Sequence, residues 1–298
     1  MNSVGYQMVM TYYRMMREIR ARVEIGPKQV RFYMDKLSIL SLPPINCSVR
    51  SYDFGGVKVE GVKHRDAEDD LILFFIHGGA FAFGSARTHR AAAAFLSKHT
   101  KARVYLPEYR TTPEYHYPCP LEDCIKSYSA IVEKYPNKKI IAVGDSAGGN
   151  LCAALTVHCR ENELPLPHKL VLMSPWLDLS SESVSIQKNY DAESIFDTKD
   201  LMDYADYYLA GKSAKDPLVS PYYADVEGFP PTLIQVASNE LLYADSLGFA
   251  EKLKASGVKC ELDVEENLFH SWQLLSDYLP AARRSLENVS KFILAETK

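Results

Sequence analysis

The chain has 298 residues and a formal net charge of −4, with 34 Lys and Arg set against 38 Asp and Glu. A chain of this length buries roughly three quarters of its unfolded surface, so residues 1–298 read as a single α/β domain. No basic run points to a nucleic-acid partner or an anionic membrane, and no apolar stretch reaches the ~18 residues of a membrane span.

Residues 1–45 begin with Met8–Ile19, which reads as a helix with a mixed stripe of Met and Tyr. That stripe suits plain core, a flexible lining over a binding site, or an amphipathic helix lying on a membrane surface. The segment lacks the apolar core and small-residue cleavage site of a secretory signal, so a cytoplasmic location is expected. Strands are expected near 46–53, 57–62, 71–76 and 103–106, then near 139–143, 169–174, 232–237 and 259–264. Helices are expected over Thr88–His99, Leu121–Tyr135, Ala147–Glu161, Asp245–Ser256 and Ala281–Thr297. Such alternation implies a mostly parallel sheet of eight strands covered on both faces, with ligands bound beyond the carboxyl ends of the strands. The last strand, Lys259–Val264, would be a sheet edge at which a second copy could pair in a homodimer. Residues 180–225 interrupt the alternation with polar turns and a helix over Asp200–Leu209. The six cysteines, at 47, 119, 124, 152, 159 and 260, form no CxxC pair. They read as reduced core residues, with no zinc site or disulfide framework and no cofactor or metal expected.

Three strand ends carry chemistry. After Leu71–Ile76 comes His77-Gly78-Gly79-Ala80-Phe81, close to the loop that offers backbone N–H groups to an oxyanion. A tetrahedral intermediate of acyl transfer carries a full negative charge on oxygen, and each fixed donor lost there costs about 3 kcal/mol. After Lys139–Val143 comes Gly144-Asp145-Ser146-Ala147-Gly148, and then a helix of small and apolar residues. Strand, sharp turn and helix are the setting of a nucleophile elbow, with the helix N-terminus aimed at charge forming beside Ser146. His270 lies well beyond Ser146, in the loop after the final strand, where a base must sit to reach back to the serine. His168 precedes a strand, with no suitable acid between it and Ser146. The acid is Glu240, just past the strand ending at Ser238, or Asp245, which also suits the first turn of a helix.

These motifs together resemble those of the hormone-sensitive-lipase-like branch of α/β-hydrolase esterases, of the bacterial carboxylesterase and lactone-hydrolase type. The likeness runs over nearly the whole chain. It includes Leu42-Pro43-Pro44, Gly55-Gly56-Val57, Tyr109-Arg110-Thr111-Thr112-Pro113-Glu114, Leu121-Glu122-Asp123 and Ser174-Pro175-Trp176-Leu177-Asp178. The resemblance implies an α/β-hydrolase fold with a helical cap formed by about 1–45 and 180–225. It implies Ser146 as nucleophile, His270 as base, and the N–H groups of Gly78, Gly79 and Ala147 as oxyanion hole. Family members with Glu at the acid position resemble Ser238-Asn239-Glu240-Leu241-Leu242 here, which supports Glu240. Ala80 stands where the third loop glycine is usual. The implied activity is hydrolysis of short- to medium-chain carboxylic esters. A lactonase or amidase using the same triad, and a non-catalytic small-molecule receptor on the same fold, are the alternatives. Receptors of that kind lack the histidine that is present here at 270. Tyr12, Tyr13, Tyr204, Tyr207 and Tyr208 of the cap segments are expected to shorten an acyl channel.

Overall fold

The computed structural model describes residues 26–38, 45–68 and 70–296, together with Gln7, Met10, Thr11 and Met15. Most of the helix expected over Met8–Ile19, including Tyr12 and Tyr13, lies outside the described residues. Met10 is described, and it is buried against Leu268, Phe269 and Trp272.

The strands are β1 (Cys47–Phe54), β2 (Val57–His64), β3 (Leu71–Ile76), β4 (Arg103–Pro107), β5 (Lys139–Asp145), β6 (Lys169–Met173), β7 (Thr232–Ala237) and β8 (Cys260–Glu265). They form one eight-stranded sheet in the order β1-β2-β4-β3-β5-β6-β7-β8. β1 and β2 run antiparallel at one end, and β2 meets β4 antiparallel; every other pairing is parallel. The sequence shows why. β3 and β6 are unbroken apolar runs, as strands buried on both faces must be, whereas β1 alternates between exposed and covered positions. β8 is the outer strand and pairs only with β7 among the described strands.

The two-residue period of the central strands divides the core. Ile72, Phe74 and Ile76 of β3, with Ile140 and Ala142 of β5, pack with α3 (Cys119–Lys134), α4 (Ala147–Glu161) and α7 (Tyr243–Ala255). Leu73 and Phe75, with Ile141 and Val143, face the other way onto α2 (Ala86–Thr100) and α8 (Pro280–Leu294). Three further helices are α1 (Pro27–Ser38), α5 (Val184–Lys188) and α6 (Thr198–Leu209), and Ile186 of α5 and Leu201, Ala205 and Tyr208 of α6 join the first of these two cores. The patterning of the sequence did not point to α1 or to the five-residue α5. Cys124, Cys152 and Cys159 are buried, but Cys47, Cys119 and Cys260 are only half-buried, so the expectation of six core cysteines holds for three. No described helix is long and apolar enough to cross a membrane.

The parallel crossovers bring the ends of β3, β5, β6, β7 and β8 to one edge of the sheet. The β5–α4 turn is the tightest of these junctions. A Cβ on Gly148 would lie 2.1 Å from the carbonyl oxygen of Ile76, so helix and strand can meet this closely only through glycine. Gly148→Ala is therefore expected to lower stability by at least ~2 kcal/mol through forced backbone displacement. A urea midpoint equal to wild type would contradict the close packing described.

Candidate active site

Ser146 occupies the turn between β5 and α4 with φ 52° and ψ −123°, a conformation L residues avoid. The strain is held by neighbours: the Ser146 N–H donates to Met173 O (2.9 Å), and Ser146 O accepts from the Trp176 N–H (3.1 Å). Asn150, one turn along α4, donates to Trp176 O and Val219 O, both at 2.9 Å. Strain stored at one residue and fixed by its surroundings is a feature of functional positions.

Glu240 and His270 form a buried pair. His270 Nδ1 lies 2.7 Å from Glu240 Oε2, and Glu240 has no solvent exposure. The other carboxylate oxygen, Oε1, accepts from the Ala237 N–H (2.7 Å) and Ser174 Oγ (2.8 Å). Ser174 Oγ in turn accepts the N–H of Ser271 (3.2 Å), so the acid and the histidine loop are tied at two points. Phe196 packs against the imidazole, its ring centroid 4.7 Å away. A neutral His270 that donates through Nδ1 presents Nε2 as a proton acceptor. Burial alone would lower the pKa of His270. The hydrogen bond and charge of Glu240, helped by Glu193 and Asp145, outweigh it and raise the group above its ordinary value. His270 adjoins Ser271, whose Oγ reaches Asp145 Oδ2 (3.2 Å), and Asp145 adjoins Ser146. The base loop therefore lies against the elbow.

Asp245 sits elsewhere. It accepts the N–H of Asp178 (3.2 Å), and burial, with the charge of Asp178 adding to it, pushes its carboxyl up to about 7. Of the two candidate acids, only Glu240 meets the imidazole.

The loop after β3 turns under the elbow with positive φ at Gly79 (117°), Ala80 (50°) and Phe81 (58°). Ala80 thus takes a left-handed conformation in the place of a third glycine. The loop is braced on all sides. Tyr109 Oη donates to His77 O (2.8 Å), the Thr112 N–H donates to Phe81 O (2.8 Å), and Arg31 Nε of α1 donates to Ala82 O (2.9 Å). The His77 ring lies flat on Tyr109, with centroids 4.2 Å apart. Burial and nearby His89 push it down to about 3, so it is neutral.

Gly78 corrects the expected oxyanion set. Its N–H donates to Asp145 Oδ1 at 3.0 Å, because a carboxylate buried beside the elbow must find donors, and this one is nearest. The N–H groups of Gly79, Ala80 and Ala147 meet no acceptor among the described residues. Ala147 opens α4, where the first N–H groups have no partner in the helix and carry its positive end. The sequence did not point to the Ala80 N–H as one without an acceptor among the described residues. Nor did it point to Asp145, Ser174 and Glu193 as buried polar neighbours of the site.

Tyr208 of α6 is fully buried and stacks on Phe81 with centroids 3.8 Å apart, and Tyr204 meets Phe83 edge-on at 5.5 Å. Tyr207 is exposed and does not line the loop. No group of metal-binding side chains occurs among the described residues.

Residues 73–274 match a family profile described as an alpha/beta hydrolase fold. An esterase of Acinetobacter venetianus is 33% identical over 274 residues, covering 91% of this chain and 90% of its own. An acetyl-hydrolase of Streptomyces hygroscopicus is 34% identical over 231 residues, covering 77% of each chain. The crystal structure of an esterase from the bacterial hormone-sensitive lipase family superposes with a TM-score of 0.91 at 30% identity, over 98% of both chains. EstE5, solved after soaking with p-nitrophenyl butyrate, gives 0.91 at 28% identity, again over 98% of both. The chain belongs to the α/β-hydrolase family. Within it, it is a hormone-sensitive-lipase-like hydrolase of carboxylic esters.

Glu240 and Asp245 are separable by experiment. Glu240→Gln should lower esterase kcat about 10³-fold or more, because the imidazole loses the carboxylate that orients and stabilises it. Asp245→Asn should leave kcat within about twofold, since the partners of Asp245 are Asp178, Leu177 and Ser183 and not the imidazole. Its effect should be on stability. A carboxyl raised to about 7 contributes stability that is fully present below its unfolded pKa of ~3.9 and is lost as pH rises through about 7. Asp245→Asn should therefore melt higher than wild type at pH 8 and not at pH 4. A large kcat loss in folded Asp245→Asn would reverse the assignment.

Proposed function

We propose that the protein is a serine carboxylesterase that cleaves short- to medium-chain acyl esters through an acyl-enzyme intermediate. The observation that carries this reading is the buried His270–Glu240 pair, 2.7 Å apart, held against a strained Ser146. Ser146 Oγ attacks the ester carbonyl while His270 Nε2 takes its proton. Glu240 holds the imidazole and stabilises the imidazolium that forms. The carbonyl oxygen becomes an oxyanion, and the N–H groups of Gly79, Ala80 and Ala147 receive it. As the intermediate collapses, His270 returns the proton to the leaving alkoxide. Water then enters, gives a proton to His270 and attacks the acyl-enzyme; as the second intermediate collapses, His270 returns that proton to Ser146 Oγ and the acid leaves.

The substrate range follows from the cap, assigned to about 1–45 and 180–225 of a single domain. Two contacts support that assignment: Arg31 is bound to the oxyanion loop, and Tyr208 is stacked on Phe81. Aromatic rings pressed onto that loop leave a bounded acyl space. Each methylene that fits contributes about 0.8 kcal/mol, and one that does not fit meets steric cost instead.

With p-nitrophenyl esters, kcat/KM should be best for acyl chains of roughly two to eight carbons and fall steeply beyond about ten. Ser146→Ala should fold and lose activity by a factor on the order of 10⁴ or more. Preference for C14 or C16 emulsions would contradict the bounded pocket, and turnover retained in Ser146→Ala would contradict the nucleophile.

The pH profile follows from His270. The base works neutral, and its pKa lies above the ordinary 6.5, so kcat/KM should rise with pH through a limb on the alkaline side of that value. A flat profile from pH 5 to 9 would contradict a histidine base.

A further inference from the structure

Asp145, the residue before the nucleophile, bonds to three separate stretches of chain around the site and touches none of the reacting atoms. It is 2% exposed. Its Oδ1 accepts the Gly78 N–H of the oxyanion loop (3.0 Å) and lies 3.0 Å from Nε2 of His89 on α2. Its Oδ2 accepts Ser271 Oγ of the histidine loop (3.2 Å). Three separate stretches of chain, at 77–83, 86–100 and 268–271, are thereby referred to one carboxylate at the elbow.

The charge on that carboxylate is compensated within the fold. His89 is buried; its Nε2 lies 3.0 Å from Asp145 Oδ1 as an ion-pair contact, and its Nδ1 lies 2.8 Å from Thr88 Oγ1 and 3.1 Å from Ser85 O, the N-cap carbonyl of α2. Burial would discharge His89, but the charge of Asp145 holds its pKa above the ordinary value. Burial would likewise raise Asp145, but His89 holds it below the ordinary value. Among the described residues, the other ionisable groups that feel the charge of Asp145 are His77, Tyr109, Cys152 and His270. His77, Tyr109 and Cys152 are neutral, and Oδ2 of the carboxylate faces the Ser271 hydroxyl of the His270 loop.

We infer that Asp145, charge-balanced by His89, is a positioning residue that holds the oxyanion loop and the histidine loop in register on the nucleophile, acting through Gly78 and Ser271. The inference rests on the serine-esterase reading above. With Gly78 anchored, the following two amides, of Gly79 and Ala80, are carried into place beside Ala147. With Ser271 anchored, the imidazole of His270 is carried toward Ser146. Both effects act where charge forms in the transition state, so they bear on kcat more than on KM.

Asp145→Asn and Ser271→Ala test the role, each checked for folding by circular dichroism and thermal melting. Asparagine turns one of the two accepting oxygens into an N–H donor, so Gly78 N–H and Ser271 Oγ can no longer both donate to it, and the charge that pairs with His89 is gone. Asp145→Asn should lower kcat about 10²-fold with KM within about twofold, the size expected when an oxyanion donor is misplaced. It should also move the acidic limb of kcat/KM to lower pH, because a negative charge that favours the His270 imidazolium is gone. Ser271→Ala removes one anchor and leaves the ion pair, so a kcat loss of about tenfold with unchanged KM is expected. A purely structural role would lower the melting temperature and leave the KM–kcat split and the limb as in wild type, and that result overturns the inference. If Asp145→Asn does not fold, Ser271→Ala decides alone, and wild-type kcat there overturns it. Ser146→Ala assayed alongside separates the two levels. Turnover retained in Ser146→Ala overturns the serine mechanism. Turnover lost there but kept in both other variants overturns only the role of Asp145.

Discussion

A carboxylate without access to water must have its oxygens satisfied from within the protein, and Glu240 meets that demand with three donors. Ala237 N–H and Ser174 Oγ reach Oε1, and His270 reaches Oε2. Leaving such a charge unpaired would cost several kcal/mol, so the partners are held as firmly as the core itself. Each donor belongs to a different part of the fold: Ala237 ends β7, Ser174 follows β6, and His270 lies beyond β8. The requirement to satisfy one buried acid thus brings three strand ends into a common geometry. Oriented in this way, the imidazole has one nitrogen committed to Glu240 and the other available as a base.

The elbow answers a complementary constraint. Ser146 can hold φ 52° only because Met173 and Trp176 capture its backbone, and α4 can begin there only because Gly148 admits the Ile76 carbonyl. Close packing of helix on strand directs the first N–H groups of α4 at the space beside the serine. The loop after β3 reaches the same space and is braced by Tyr109, Thr112 and Arg31. Donors set in advance cost no reorganisation when charge appears.

Much of this was legible in the sequence because the signals were local. Unbroken apolar runs such as Leu71–Ile76 marked the buried strands, and the observed boundaries differ from the expected ones by only a few residues. The order of loop, elbow, acid and histidine singled out Ser146, Glu240 and His270, and Glu240 lies just past the end of β7 in contact with His270. What could not be read depended on pairings distant along the chain. The N–H of Gly78 is taken by Asp145, 67 residues later, and no property of His77-Gly78-Gly79 foretells that. Ala80 can stand in the third glycine position because the observed φ of 50° is left-handed but still open to an L residue. Ser174 and Glu193 are ordinary polar residues in sequence and become part of the site only when β6, β7 and the segment before α6 converge. The Tyr stripe of α6 divided by helical phase: Tyr208 turned onto Phe81, and Tyr207 turned to solvent.

The most direct test of this account is the crystal structure of the enzyme inactivated by a short-chain phosphonate ester, whose phosphorus mimics the tetrahedral intermediate. The account requires a covalent bond to Ser146 Oγ and a phosphoryl oxygen within about 3 Å of the N–H groups of Gly79, Ala80 and Ala147. Gly78 should remain on Asp145, and His270 should remain on Glu240. Phosphorus attached to another residue, or a phosphoryl oxygen bound by Gly78 in place of Ala80, would contradict it.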